Sequence, residues 1–120
     1  MAAGLGSTPQ RMLRTVAAIR QGLDAGQGLL YRYKRRDGLA GQGAFLCSSF
    51  WLAEALVKGG DPVEGRKVFD QAVAQANDLG LSSEQIDPGS GELLGNFPQG
   101  VTHLAHVDAA VAPAEAEREV

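Results

Sequence analysis

The sequence has too few cysteines for a disulfide and no apolar run long enough to span a membrane. It contains one cysteine, Cys47, among 120 residues, so no internal disulfide can form. A lone cysteine is typical of proteins in a reducing compartment, and we expect a cytoplasmic location. No apolar run approaches the ~18 residues that a membrane span needs. Because residues 1–10 also lack the basic and apolar regions of a secretory signal, we expect no membrane partner.

Acidic residues are scarce in residues 1–36, and basic residues are scarce in residues 37–120. Residues 1–36 carry a net charge of +6, whereas residues 37–120 carry −9, which gives −3 in total. The cluster Tyr31–Arg36 is either a footprint for nucleic acid or a charged loop that faces solvent or the acidic half. The pI near 5.3 and the lack of a known nucleic-acid motif favour the second interpretation, so no nucleic-acid partner is predicted.

Glycine is the residue in excess. Apolar residues make up 44% and charged residues 21%, which is a globular composition. There are 16 glycines, roughly 13% of the chain against a typical ~7%. This indicates many loops with defined backbone turns. A chain of this length buries only ~65% of its unfolded surface when it folds. We therefore expect marginal independent stability, as for part of a larger unit.

Two helices are predicted in the first half. Thr8-Pro9 is a strong helix start, and an apolar residue then recurs every three or four positions until Gly26 and Gly28 end the helix. The second helix, Ala44–Lys58, has almost no polar face, so we expect it to be buried on all sides.

Two more helices and a long connection are predicted after it. Asp61-Pro62-Val63-Glu64 is a capping box that starts the third helix, with Gly80 as its C-terminal cap. The connection Leu81–Phe97 is long enough to suggest a function. The last helix is predicted from Pro98 to just before Pro113. Its expected inner face comprises Val101, Leu104, Val107 and Val111. The predicted fold class is all-α, with about four antiparallel helices and two long glycine-rich loops, 38–43 and 80–95.

The chain lacks the common motifs for metals and cofactors. No glycine-rich stretch matches a phosphate-binding loop, so no cofactor is predicted. His103 and His106 are too few for a catalytic zinc, and no metal is predicted. Cys47 lies in the most apolar run and is interpreted as a buried hydrophobic residue. The remaining candidates are Glu84, Asp87 and Glu92 in the long connection, since carboxylates can act as acid or base on water.

Two interpretations of the whole chain follow from these patterns. The first is a small helical-repeat module for protein interaction, because the spacing of small and large residues in 51–56 and 65–72 resembles a tetratricopeptide repeat. Only one such unit is found, whereas at least three are needed for a stable stack. The second is the tail of an α-helical enzyme whose loops line an active site.

A series of motifs favours the second interpretation. They run in order over about residues 8–112, and the last three are together quite specific. The motifs are Leu30-Tyr31-Arg32-Tyr33, the 37–45 loop, Cys47-Ser48-Ser49-Phe50-Trp51-Leu52, Ala76-Asn77-Asp78-Leu79-Gly80-Leu81, Glu84-Gln85-Ile86-Asp87, and Leu94-Gly95-Asn96-Phe97-Pro98-Gln99. This series resembles the C-terminal segment of glycoside hydrolase family 15, which contains glucoamylase, glucodextranase and bacterial trehalase-like enzymes.

The resemblance implies a fold and a chemistry. The fold is an (α/α)₆ barrel, of which this chain would be the last third, and the reaction is inverting hydrolysis of α-glucosidic bonds. Inversion needs an acid on the leaving oxygen and a base that activates water. Glu84 matches the family's general base, and Thr102 matches the hydroxyl residue that hydrogen-bonds it. Gln42, which stands where relatives carry an acid, and Asn96 are the candidate substrate-binding residues.

The resemblance also implies that the domain is incomplete. Nothing here resembles the family's acid-bearing hairpin, so we expect the 120-residue chain to be inactive alone and to bind an α-glucoside or trehalose-type sugar only when completed. The expected organisation is a flexible segment 1–7, a partial catalytic domain 8–112 and a disordered acidic tail 113–120. Exposed apolar helix faces would also allow self-association.

Overall fold

The computed structural model describes residues 8–31 and 43–118. Within them the chain forms four helices and five very short strands. The helices are α1 (Thr8–Leu23), α2 (Leu46–Lys58), α3 (Pro62–Val73) and α4 (Gly100–Arg118). The strands are β1 (Asp24–Gly26), β2 (Leu29–Leu30), β3 (Ala44–Phe45), β4 (Gln85–Ile86) and β5 (Leu93–Leu94). The predicted all-α class is confirmed, and it is compatible with a segment of a helical barrel. The predicted flexible segment 1–7 lies outside the described residues.

The first helix ends in a tight hairpin. Gly26, Gln27 and Gly28 all have positive φ, and they connect β1 to the antiparallel β2. Two glycines make this turn accessible, because residues with a side chain rarely adopt positive φ. The Ser49 hydroxyl of α2 donates to the Gly28 carbonyl at 2.9 Å and ties the hairpin to the second helix.

The second helix is the centre of the packing and contacts α1, α3 and α4. Phe50, Leu46 and Cys47 are fully buried, as expected from its apolar sequence. The prediction that α2 is buried on all sides is wrong, since Trp51 is 51% exposed. The helix begins at Leu46, two residues after the approximate start predicted at Ala44. Ala44 and Phe45 instead pair with Ile86 and Gln85 as β3, a contact distant in sequence that local propensity does not encode.

The third helix starts as predicted but ends early. The Asp61 carboxylate accepts the Glu64 N–H at 3.3 Å, which caps the helix, and Pro62 opens the first turn. The prediction that Gly80 caps its end is wrong, because the helix stops at Val73. The Asn77 side chain accepts N–H bonds from Leu79 and Leu81 at 3.0 and 2.8 Å. These bonds hold a turn that competes with helix.

The fourth helix presents the opposite face from the one predicted. Its buried residues are Thr102, Ala105, Ala109 and Ala112, whereas Val101, Leu104, Val107 and Val111 are exposed by 43–68%. The assignment of these four residues to the inner face is therefore wrong. The physical reason is the close packing of α4 against α2, in which alanines form most of the buried face and the flat His106 ring stacks on Phe50.

The ends of α4 also differ from the prediction. The helix begins at Gly100 rather than Pro98, with the Gln99 carbonyl accepting the His103 N–H at 3.2 Å. It continues through Pro113 to Arg118, so the predicted end before Pro113 is wrong and the tail boundary at 113 does not coincide with the helix end. Pro113 lies inside the helix and is exposed, and it supplies no N–H donor to the carbonyl of Ala109, four residues earlier. Among the described residues, no helix combines the length and the apolar character needed to span a membrane.

Candidate active site

The long connection folds into a small sheet that holds Glu84 at the edge of the core. β4 pairs with β3 on one side and with β5 on the other, both antiparallel. Glu84 directly precedes β4, and its carbonyl accepts the Leu46 N–H at the start of α2 (3.1 Å). Its own N–H donates to the Asn96 carbonyl at 2.9 Å. The backbone of Glu84 is thus fixed from both sides.

The Glu84 carboxylate is also held by a backbone group. Its Oε1 atom accepts the Asn96 N–H at 3.1 Å, and the residue is half-buried. The other oxygen, Oε2, has no hydrogen-bond donor among the residues described here. Asn96, predicted to contact substrate, therefore lies next to Glu84, although it is the Asn96 main chain that touches the carboxylate.

Thr102 supports the residue before Glu84 rather than the carboxylate itself. Its hydroxyl is fully buried and donates to the Ser83 carbonyl at 3.1 Å. A threonine hydroxyl has a single proton, so this bond leaves none for the Glu84 carboxylate. The hydrogen bond predicted between Thr102 and the base is thus replaced by an indirect support through the chain.

Residues at the start of α4 also hold the main chain of Ser82. The Ser82 N–H donates to His103 Nε2 at 3.1 Å, and the Ser82 carbonyl accepts the Gln99 N–H at 3.0 Å. His103 can accept this bond only with Nε2 unprotonated. Among residues 8–31 and 43–118, the buried Ser82 hydroxyl has no hydrogen-bond partner. Ser82 and Ser83 are therefore held by residues 99–103 at the start of α4, and Glu84 follows them directly along the chain.

Gln42 lies outside the described residues, but the end of its loop reaches the site. The Gly43 N–H donates to Gln85 Oε1 at 3.2 Å. Gln85 follows Glu84 directly, so its side chain joins the glycine-rich loop to the strand that carries the carboxylate. Sequence reasoning did not single out Gln85 or Gly95. Only their places in the quoted motifs, beside Glu84 and Asn96, hinted at a role.

The other two carboxylates of the connection have different surroundings. Asp87 Oδ1 accepts N–H bonds from Gly89 and Ser90 at 2.8 and 3.2 Å, which is a local turn. Glu92 is exposed. Of the three candidates, Glu84 alone has its carboxylate bonded to a residue far along the chain.

The remaining candidate groups are part of the core. His106 stacks on Phe50 with ring centroids 4.8 Å apart, and burial, with a smaller effect from His103, lowers its pKa. Burial raises the pKa of the Cys47 thiol to about 11, which makes it a poor nucleophile at neutral pH. Within 8–31 and 43–118, no cluster of three or more histidine, cysteine or acidic residues could hold a metal.

Fold and site together define a mostly helical segment whose connections hold a positioned carboxylate near the ends of its helices. The chain is similar over most of its length to trehalases. It is 42% identical over 113 residues to the trehalase of Mycobacterium tuberculosis, and 42% identical over 113 residues to that of Mycolicibacterium smegmatis. It is 41% identical over 96 residues to the trehalase of Thermoplasma volcanium.

These similarities cover 91%, 91% and 79% of this chain, respectively, but only 16%, 17% and 15% of the three trehalases. The chain thus spans about a sixth of the length of these relatives. No protein-family model matches it, and no solved structure matches it significantly. The similarity supports a segment of a trehalase-like glycoside hydrolase.

Proposed function

We propose that this chain is the general-base segment of an inverting, family 15-type hydrolase of α-glucosidic bonds, and that Glu84 is the base. The observation that carries the proposal is the Glu84 carboxylate, held by the Asn96 N–H, within a segment 42% identical to two trehalases. Trehalose is the first candidate substrate, because the relatives are trehalases. Other α-glucosides remain candidates until substrates are compared.

The geometry around Glu84 suits a base that acts on water. The Asn96 N–H holds Oε1, and no donor among the described residues occupies Oε2. In our proposal, Oε2 takes a proton from a water molecule as that water attacks the anomeric carbon. The leaving oxygen takes its proton from an acid outside these 120 residues. In inverting enzymes the two carboxyl groups are roughly 6.5–9.5 Å apart, which leaves room for that water.

Two apolar faces of this chain are exposed. A groove of about 310 Å³ between α1 and α2 is lined by Ile19 and Trp51, both at least 40% exposed. The outer face of α4 is apolar as well. We propose that the remainder of a trehalase-length polypeptide, joined to this chain or separate from it, covers these faces. Self-association through the same faces is the competing outcome.

Three expectations from the sequence have different support. The relatives are trehalases, which favours the hydrolase over the helical-repeat alternative. The cytoplasmic location rests on the single buried cysteine alone and stays a proposal. The predicted absence of a nucleic-acid partner also stays a prediction, since most of the basic cluster lies outside the described residues.

A chimera tests the proposal directly. The 113 matched residues would replace their counterpart in the M. tuberculosis trehalase, and trehalose hydrolysis would be measured. We expect an active chimera in which Glu84→Gln lowers kcat by about 10²-fold or more, the usual contribution of a general base. The exposed Glu92→Gln is the matched control and should stay within about twofold, because it touches no part of the site.

The isolated chain provides the second arm. It should turn over neither trehalose nor maltose nor maltodextrin, because it would hold a base without an acid. Turnover by the pure 120-residue chain that Glu84→Gln abolishes would disprove the division into two parts. A chimera equally active with Glu84→Gln would disprove the role of Glu84.

A further inference from the structure

Gly95 lies so close to the Glu84 carboxylate that a side chain at position 95 would force the carboxylate to move. A Cβ atom added at position 95 would fall 2.6 Å from Glu84 Oε1 and 3.1 Å from Glu84 Cβ. Gly95 also has φ of +74°, a conformation that residues with a side chain rarely adopt. The next residue along the chain, Asn96, supplies the N–H that Oε1 accepts. Glu84 Oε1 is therefore the atom that occupies the space beside Gly95 and also the atom that accepts the Asn96 hydrogen bond.

We propose that Gly95 is a positioning residue for Glu84. The missing side chain lets the carboxylate rest on the main chain of residues 95–96 and reach the Asn96 N–H. Any larger residue at 95 moves the carboxylate away from that donor. The catalytic consequence rests on the proposed role of Glu84 as base, whereas the contact itself does not.

The chain contains a control for the effect of backbone strain. Gly91 has φ of +75°, almost the same as Gly95, and a Cβ added there meets nothing within 4 Å. Gly91→Ala therefore measures the cost of a left-handed alanine alone. Gly95→Ala measures that cost plus the displacement of Glu84. The difference between the two variants isolates the contact with the carboxylate.

The first measurement is a double-mutant cycle by urea unfolding of the full chain. Gly95→Ala should lower the unfolding midpoint more than Gly91→Ala. In a Glu84→Ala background this excess should shrink, because the clash with the carboxylate is gone, while the effect of Gly91→Ala should not change. An excess of the same size in both backgrounds would overturn the proposal.

The second measurement follows the position of the carboxylate by NMR. In the native chain and in Gly91→Ala, the Asn96 amide proton should resonate downfield of its position in Glu84→Ala, since the carboxylate accepts its hydrogen bond. In Gly95→Ala this downfield difference should be lost. If Gly95→Ala does not fold, Gly95→Ala/Glu84→Ala tests the clash by folding instead, because it should fold once the carboxylate is removed. A double variant that also fails to fold, while Gly91→Ala folds, would contradict the proposal.

The third measurement ties the contact to catalysis in the chimera. Gly95→Ala should lower kcat at least about tenfold, since small misplacements of catalytic groups cost up to ~10²-fold. Gly91→Ala should stay within about threefold, because it has the strain without the clash. An unchanged kcat for Gly95→Ala would overturn the positioning role. If Glu84→Gln leaves the chimera active, the proposed function fails while unfolding and NMR still decide the contact.

Discussion

His106 is a polar residue whose ring packs against two aromatic side chains, Phe50 and Phe69. It stands on the inner side of α4, where its ring stacks on Phe50 at an interplanar angle of 7° and meets the edge of Phe69 at 5.4 Å. An imidazole in this position replaces an apolar ring only when it is neutral, because burial penalises its charged form. Burial and, to a smaller extent, the charge of His103 lower its pKa below the usual 6.5.

This lowered pKa predicts a loss of stability in acid. Below about pH 6.5 the unfolded chain binds a proton at position 106 that the folded chain resists, so the free energy of unfolding falls as the pH drops further. Above that pH the group has no effect. His106→Phe keeps the stack and removes the titration. Urea unfolding at pH 7.5 and at pH 5.5 should therefore show a smaller decrease for the variant than for the native chain.

The native chain and His106→Phe differ at position 106 alone, so the comparison isolates that residue. An equal decrease in the native chain and in His106→Phe would show that the histidine is not neutral in the core. His103 needs separate treatment, because its Nε2 atom accepts the Ser82 N–H and its replacement disturbs the site.

At the scale of elements, α4 shows where periodicity is insufficient. The spacing of its valines and leucine defines one face of a helix, and its alanines define another. Either face could in principle be the buried one, and the larger residues are the usual choice. Packing against α2 selects the small face, Ala105, Ala109 and Ala112, because alanines let the two helices approach closely.

Two adjacent residues test this orientation. Ala105→Leu forces a larger side chain into the contact of α4 with the core and should lower the free energy of unfolding by about 1–3 kcal/mol. Leu104 is 68% exposed, so Leu104→Ala should change it by at most about 0.5 kcal/mol. Chemical denaturation measures both. If Leu104→Ala instead cost about 2–5 kcal/mol and Ala105→Leu cost less, Leu104 would be buried and the face predicted from the sequence would be correct.

Other elements followed their local signals more closely. The cap at Asp61 and the start at Thr8 lie where the sequence indicates, because caps are interactions among neighbouring residues. The end of α3 and the start of α2 do not. Both depend on bonds that propensity does not contain, namely the Asn77 turn and the pairing of β3 with β4.

At the scale of the whole molecule, the described part of the chain has a buried centre and open apolar flanks. The centre is α2 with Phe50, and the flanks carry Trp51 on one side and Leu104 and Val107 on α4. Exposed apolar patches of this kind mark surfaces that contact something else. This arrangement agrees with the expectation of marginal stability for an isolated 120-residue unit.

The open flanks predict how the isolated chain behaves in solution. We expect a broad or low thermal transition and an increase in ANS fluorescence in the native chain, because the dye binds exposed apolar surface. The double variant Leu104→Ser/Val107→Ser should reduce ANS binding without a large loss of stability, since both residues are exposed. A sharp, cooperative melt of a monomer without ANS binding would contradict this prediction.

The sequence by itself determined the helical class, the helix starts with local caps, and the motif around Glu84, since each depends on neighbouring residues and on spacing. Only the tertiary structure decided which face of α4 is buried, that Thr102 bonds the Ser83 carbonyl, and that Gly95 leaves room for the Glu84 carboxylate. The physical reason is distance along the chain. Glu84 and Gly95 are eleven residues apart in sequence, and only the folding of the connection into paired strands brings them into contact.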